Sequence, residues 1–260
     1  MHFQSLIIFL ISGCISCKSQ SPTDCPEIIP QESKLPNENT YATIKSIPPP
    51  LDFERINQDS TSFGYWLRNV ALKKDKAIYK YDGTLKANQS AQFAVLDISI
   101  GKKDLQQCAD AVMRLRAEYL FDRERFDEIL FIDNAGTAYQ FTPPYTRDNL
   151  LSYLERVFGM CGSASLSKQL KTKQDFSKIL TGDVLIRGGF PGHAVIVVDV
   201  AENPAGKKIY LLAQSYMPAQ DIHILVNPLS EELSPWYEVN ADTVIKTPEY
   251  YFKRTELKSW

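Results

Sequence analysis

Cysteine and histidine are scarce in this 260-residue chain, which has five of the first and three of the second. So few cysteines do not make the framework of a disulfide-stapled miniprotein. There is no HExxH helix and no paired CxxC spacing, so nothing points to a metal site built by the protein. An excess of charge is missing as well. Lys plus Arg number 29 against 31 Asp plus Glu, a net charge of −2, and a chain this balanced has no global attraction for nucleic acid or anionic lipid. Long apolar runs are absent apart from Leu6 to Ile11 at the extreme N-terminus. That run is too short to span a bilayer, which excludes a polytopic membrane protein. No dinucleotide or phosphate fingerprint is present either. Gly188-Gly189-x-x-Gly192 precedes a strand-like run, whereas phosphate cradling needs a helix, so no cofactor is expected. What remains is ordinary for a globular protein, with 44% hydrophobic and 23% charged residues. The length suits one sizeable domain, or two at most.

The N-terminus reads as an address. The apolar run leads into Ile11-Ser12-Gly13-Cys14, the pattern of a secretory signal ending in small residues. This tetrapeptide resembles a bacterial lipobox, although Met1 to Gln4 carries no Lys or Arg. The resemblance implies that Cys14 receives a lipid and becomes the first mature residue. The chain would then be held on a membrane in the cell envelope. From there to Pro50 the sequence is rich in Pro, Ser, Asn and Gln and ends in Pro48-Pro49-Pro50, the composition of an extended tether. Cys17 and Cys25 fall in it and are assigned no chemistry. The expected organisation is a signal peptide over 1–13, a lipid-anchored tether over 14–50 and a single globular domain over 51–260.

Within that domain the strongest helix is Asp104 to Phe121. Leu105, Cys108, Val112, Leu115 and Tyr119 recur at helical spacing, with Asp104 placed as N-cap. Residues 62–72 suggest a short helix, and 146–170 a second helical region broken around Gly159 to Gly162. Strands are expected over 77–81, 93–100, 128–133, 137–142, 184–187, 194–200, 208–214 and 222–226. The tail 236–260 is aromatic and expected to pack back. Helices in the middle followed by consecutive short-turned strands predict an α+β fold with an antiparallel sheet packed against helices.

The most informative segment runs from Gly182-Asp183 to Gly192-His193-Ala194-Val195-Ile196-Val197-Val198. Packing of the apolar strand would fix the His193 ring while the glycines keep space open beside it, which is what a general base needs. A histidine that merely caps the strand is the plain alternative. His223, between Ile222 and Ile224, reads as a solvent-facing or satisfied residue. Cys108 near a helix N-terminus is the candidate nucleophile, because free N–H groups there stabilise a thiolate and lower its pKa. It also shares an apolar stripe, so a core role stays open. Cys161, flanked by glycines, is the rival. Gln214 closes the strand after that of His193, where its amide oxygen can accept from the imidazole, with Ser215 beside it. Asp110 with Arg114 and Arg114 with Glu118 read as i,i+4 pairs on a helix face.

Gly182-Asp183, the Gly192-His193 strand and the Gln107-Cys108 helix start are similar to motifs of the CHAP and NlpC-type cysteine peptidases. There is no Asp-Cys-Ser-Gly, and the gap from cysteine to Gly-Asp is long. The resemblance implies a papain-like fold in which Cys108 is the nucleophile, His193 the base and Gln214 the orienting residue. It also implies amide bonds of peptidoglycan peptides as substrate. The strings SFGYWLRNVAL, QQCADAVMRLRAEYLF, GDVLIRGGFPGHAVIVVDVAENP and LLAQSYMPAQDIHILVNP resemble an uncharacterised family of bacterial envelope proteins, domain of unknown function 4846. That likeness supports the lipoprotein reading and supplies no activity. Two functions follow as expectations: a lipid-anchored Cys–His amide hydrolase, or an inactive envelope scaffold binding a peptide or glycan.

Overall fold

The computed structural model describes residues 38–260. The proposed signal, Cys14, Cys17 and Cys25 lie outside them. Four helices are present among the described residues: α1 (Phe63–Arg68), α2 (Cys108–Asp122), α3 (Arg147–Met160) and α4 (Ser163–Gln169). The strands are β1 (Glu54–Arg55), β2 (Gln92–Val95), β3 (Leu130–Ile132), β4 (Ala138–Gln140), β5 (Lys171–Thr172), β6 (Val184–Arg187), β7 (His193–Glu202), β8 (Lys208–Gln214), β9 (His223–Leu225), β10 (Tyr237–Glu238), β11 (Val244–Lys246), β12 (Tyr251–Lys253) and β13 (Leu257–Ser259). The fold is mixed α+β, built on a nine-stranded sheet in the order β2-β9-β8-β7-β6-β13-β5, with β1 added to β7 and β10 to β8. Every pairing in it is antiparallel. No helix among the described residues is long and apolar enough to cross a membrane.

Both faces of the central strands are covered, which explains why β7 reads as a continuous apolar run and not as an alternation. Ala194, Ile196 and Val198 join α2, α3 and α4 in one core. Val195, Val197 and Leu212 face a second core closed by Ile245, Phe252 and Leu257 of the tail. The tail therefore packs back as the aromatic content predicts, and β13 inserts beside β6, pairing Leu257 with Leu185.

Three expectations are corrected. The tether does not extend to Pro50: Ile44 and Ile47 are fully buried, and Trp236 Nε1 donates to the Pro48 carbonyl at 2.9 Å. Apolar residues inside a proline-rich stretch anchor it against the core. Helix α2 starts at Cys108, with Gln107 in extended conformation as its cap. Asp104 instead uses Oδ1 to accept from the Ala219 and Gln107 side of the neighbouring loops, at 2.7 Å from Ala219 N and 3.1 Å from Gln107 Nε2. Residues 77–81 form isolated bridges from Tyr79 and Lys80 in place of a strand.

Candidate active site

The helix start places Cys108 at the first position of α2. Asp110, two residues on, accepts from the Gln107 backbone N–H at 3.0 Å and closes the N-terminal turn. The segment leading in is tied to the end of β8. Ser215 Oγ lies 2.8 Å from the Gln220 carbonyl and 3.2 Å from that of Gln106, so its single proton serves one of them at a time. This lashing sets the register between the cysteine and the strand that ends in Gln214.

The Cys108 side chain is buried, and the nearby backbone N–H groups of Ala109, Ala194 and Cys108 itself favour its thiolate. Two covalent bonds separate the Ala194 nitrogen from the Cα that carries the His193 imidazole. Burial and then the neighbouring Asp110 carboxyl outweigh these donors and push the thiol up to about 11. The expectation that the helix N-terminus lowers the Cys108 pKa is thus overturned. Desolvation penalises a thiolate more than three N–H dipoles favour it.

His193 opens β7 at 2% exposure, and its Nε2 lies 2.9 Å from Gln214 Oε1. Tyr216 and Tyr250 pack on the ring with centroids at 4.8 Å, and Phe252 at 5.8 Å. Burial in this aromatic box drives its pKa down to about 4, against the Gln214 bond and the nearby Glu249. Among the described residues, no hydrogen bond joins the Cys108 thiol to the His193 ring. Tyr216 contacts the ring and lies within electrostatic reach of the sulfur. The structure thus brings His193 and Gln214 into direct contact and sets Cys108 on the cleft lined by Gly192, the residue before His193.

Behind this group lies a polar network that sequence reasoning missed. Gln214 Nε2 donates to Glu249 Oε2 at 2.9 Å and lies 3.3 Å from His223 Nε2. Glu249 also accepts from Lys86 Nζ at 2.6 Å and from Asn88 Nδ2 at 3.1 Å. His223 is fully buried, with Nδ1 at 2.9 Å from the Asp221 carbonyl, and burial lowers its pKa to about 3. It is satisfied, as the alternative on its strand anticipated, yet it touches Gln214. Nothing local in the sequence marks Lys86 or Glu249; only the aromatic cluster Tyr250-Tyr251-Phe252 hints that the tail reaches the site.

Cys108 lines a cleft of about 230 Å³ together with Gln107, Asp110, Cys161, Ser163 and Gly192. Phe190, at 91% exposure, and Met217 stand at its rim. Cys161 ends α3 on the same cleft; both cysteines are free thiols, and burial pushes Cys161 up to about 11 as well. Among the described residues no group of three or more His, Cys, Asp or Glu is gathered closely enough to hold a metal ion. The Gly-Asp turn has a structural task. Gly182 has φ +95°, and Asp183 Oδ2 accepts from Lys173 Nζ at 2.6 Å and from the Leu180 N–H at 2.7 Å.

No curated protein and no solved structure matches the chain. The family model described as Domain of unknown function (4846) matches residues 44–147 and 133–259, which together span most of the chain, and the protein belongs to that family.

Proposed function

We propose that the protein is a cysteine hydrolase of amide bonds, anchored in the cell envelope through Cys14 and acting on peptides of the peptidoglycan type. The observation that carries this reading is the contact of His193 Nε2 with Gln214 Oε1 at 2.9 Å, with a helix-opening thiol on the cleft that Gly192, the residue before His193, also lines. That order and placement support the likeness to papain-like enzymes of the CHAP and NlpC type. With the thiol near 11 and the imidazole near 4, the resting pair is neutral, so the base must act as the bond forms. Cys108 Sγ attacks the carbonyl carbon while its proton passes to His193 Nδ1. The oxyanion gathers on the free N–H groups at the start of α2. Collapse expels the amine with the proton from His193. Water, deprotonated by the same nitrogen, then hydrolyses the thioester and frees the acid and the thiol.

The test labels the full chain with iodoacetamide at pH 7 and maps the sites by mass spectrometry. Labelling at Cys108 is expected to fall at least about a hundredfold in His193→Ala. Release of peptides from purified peptidoglycan is expected to vanish in Cys108→Ser. Equal labelling of Cys108 with and without His193, together with no release, overturns the hydrolase. The deep burial of His193 and the exposed Phe190–Met217 rim would then favour the second reading, an inactive envelope module that holds a peptide or glycan in the cleft.

A further inference from the structure

Among the described residues Gln214 makes the hydrogen-bond link between the imidazole of His193 and the polar network behind it, and the direction of every hydrogen bond in that network is fixed by its ends. At one end stands Glu249. Its carboxylate accepts from Lys86 Nζ at 2.6 Å, and an ionised carboxylate only accepts. The Gln214 atom 2.9 Å from Glu249 Oε2 must therefore be the amide nitrogen. At the other end stands the Asp221 carbonyl, again an acceptor only, 2.9 Å from His223 Nδ1. That ring nitrogen must donate, which leaves a lone pair on His223 Nε2 in the neutral ring, 3.3 Å from the same amide nitrogen of Gln214. The two N–H bonds of the amide are thus claimed from two independent directions. Gln214 Oε1 is forced toward His193, where it can only accept from Nε2 at 2.9 Å.

We infer that Glu249, paired with Lys86, and His223 are positioning residues that lock Gln214 in one amide orientation and so hold His193 with its proton on Nε2 and its lone pair on Nδ1. This deepens the hydrolase reading and rests on it for its use, because only that tautomer offers Nδ1 as the base. A flipped Gln214 would face His193 with its amide N–H, draw the lone pair to Nε2 and leave Nδ1 protonated. The lock is an arrangement of acceptors and donors and exists whether or not Cys108 reacts.

The full chain labelled with ¹⁵N in its three histidines reports the tautomer directly through long-range ¹H–¹⁵N correlations, with assignment by His223→Leu and His193→Ala. In the wild type His193 is expected to show a pyridine-like Nδ1 and a pyrrole-like Nε2. In Lys86→Met/Glu249→Leu, which removes the acceptor without stranding a buried cation, the two signals are expected to move toward each other as both tautomers populate. Lys86→Met/Glu249→Gln, whose new amide oxygen can still accept, is expected to restore the wild-type pattern. Cys108 alkylation is expected to slow about tenfold in the first double variant and to recover in the second. A wild-type His193 protonated on Nδ1 overturns the inference. So do signals that stay unchanged in both Lys86→Met/Glu249→Leu and His223→Leu. The wild-type spectrum decides even where a variant fails to fold. A locked tautomer beside an inert Cys108 supports the positioning role and overturns the hydrolase instead.

Discussion

At the residue scale the site is governed by desolvation. Asp110 shows this most plainly. It closes the first turn of α2 through Oδ2, while Oδ1 is buried without a partner, and burial pushes its pKa from 3.8 up to about 8. Between those values the folded chain binds a proton at Asp110 that the unfolded chain has released, so stability falls as pH rises from about 4 to about 8. Asn is close in shape to the protonated acid. Asp110→Asn is therefore expected to match the wild type near pH 4 and to exceed it in stability near pH 8, as measured by urea unfolding at both pH values. Removing the carboxylate that raises Cys108 should also speed alkylation of that thiol above pH 9. Equal pH dependence in the two proteins would show that Asp110 is ionised in the fold. The histidines act in the opposite range. His193 and His223, lowered to about 4 and about 3, exclude protons that the unfolded chain takes up near 6.5. Stability is thus lost as pH falls from about 6.5 toward 3.

At the level of elements, the glycine loop between β6 and β7 is built by close backbone approach. A Cβ on Gly192 would stand 2.6 Å from the Arg187 carbonyl oxygen, 2.8 Å from that of Gly189 and 2.2 Å from Ser163 Oγ. The hydroxyl can rotate away; the two carbonyls cannot without opening the loop that delivers His193. Gly192→Ala is expected to cost about 1–3 kcal/mol and to slow any His193-dependent labelling of Cys108. A urea midpoint within error of the wild type would contradict the packing that the loop shows. This loop was legible only in part: the apolar run after the glycines fixes the ring, but the open space expected beside it is filled by Tyr216, Tyr250 and Phe252, and His193 is buried. The helix that carries Cys108 was legible in its stripe but not in its start. Asp104 has the chemistry of an N-cap, and the bonds from Ala219 N and Gln107 Nε2 divert it. The strand expected over 77–81 failed for a related reason, since its alternation meets single bridges and side-chain partners such as Gln89 and Asp221.

Across the whole molecule, the pieces that no local pattern reveals are those joined over long separations. Asp199 sits fully buried at the bulge of β7 and accepts from Arg68 Nε at 2.5 Å and Arg55 Nε at 2.6 Å, partners 131 and 144 residues away. Arg55 also donates to the Ile47 carbonyl and Arg68 to that of Val200. One carboxylate thus fastens the N-terminal segment, β1 and α1 to the central strand. In the sequence Asp199 is a lone acid interrupting an apolar run, and nothing in it names two arginines as partners. The same limit hid Lys86 and Glu249, whose pairing with each other and with Gln214 spans the chain. Asp199→Ala would leave the buried Arg68 guanidinium and the partly exposed one of Arg55 without their carboxylate, and breaking a buried ion network by removing one partner costs about 3–5 kcal/mol. The expected outcome is a large fall in the urea midpoint with an unchanged slope, because the surface exposed on unfolding is the same. A loss below about 1 kcal/mol would mean that water reaches the arginines and that the N-terminal segment is held by Ile44, Ile47 and Leu67 packing alone. A changed slope would mean that this segment leaves the core while the sheet, with His193 and Gln214 on it, stays folded. Labelling of Cys108 at sub-denaturing urea separates these cases, since α2 rests against both α1 and β7.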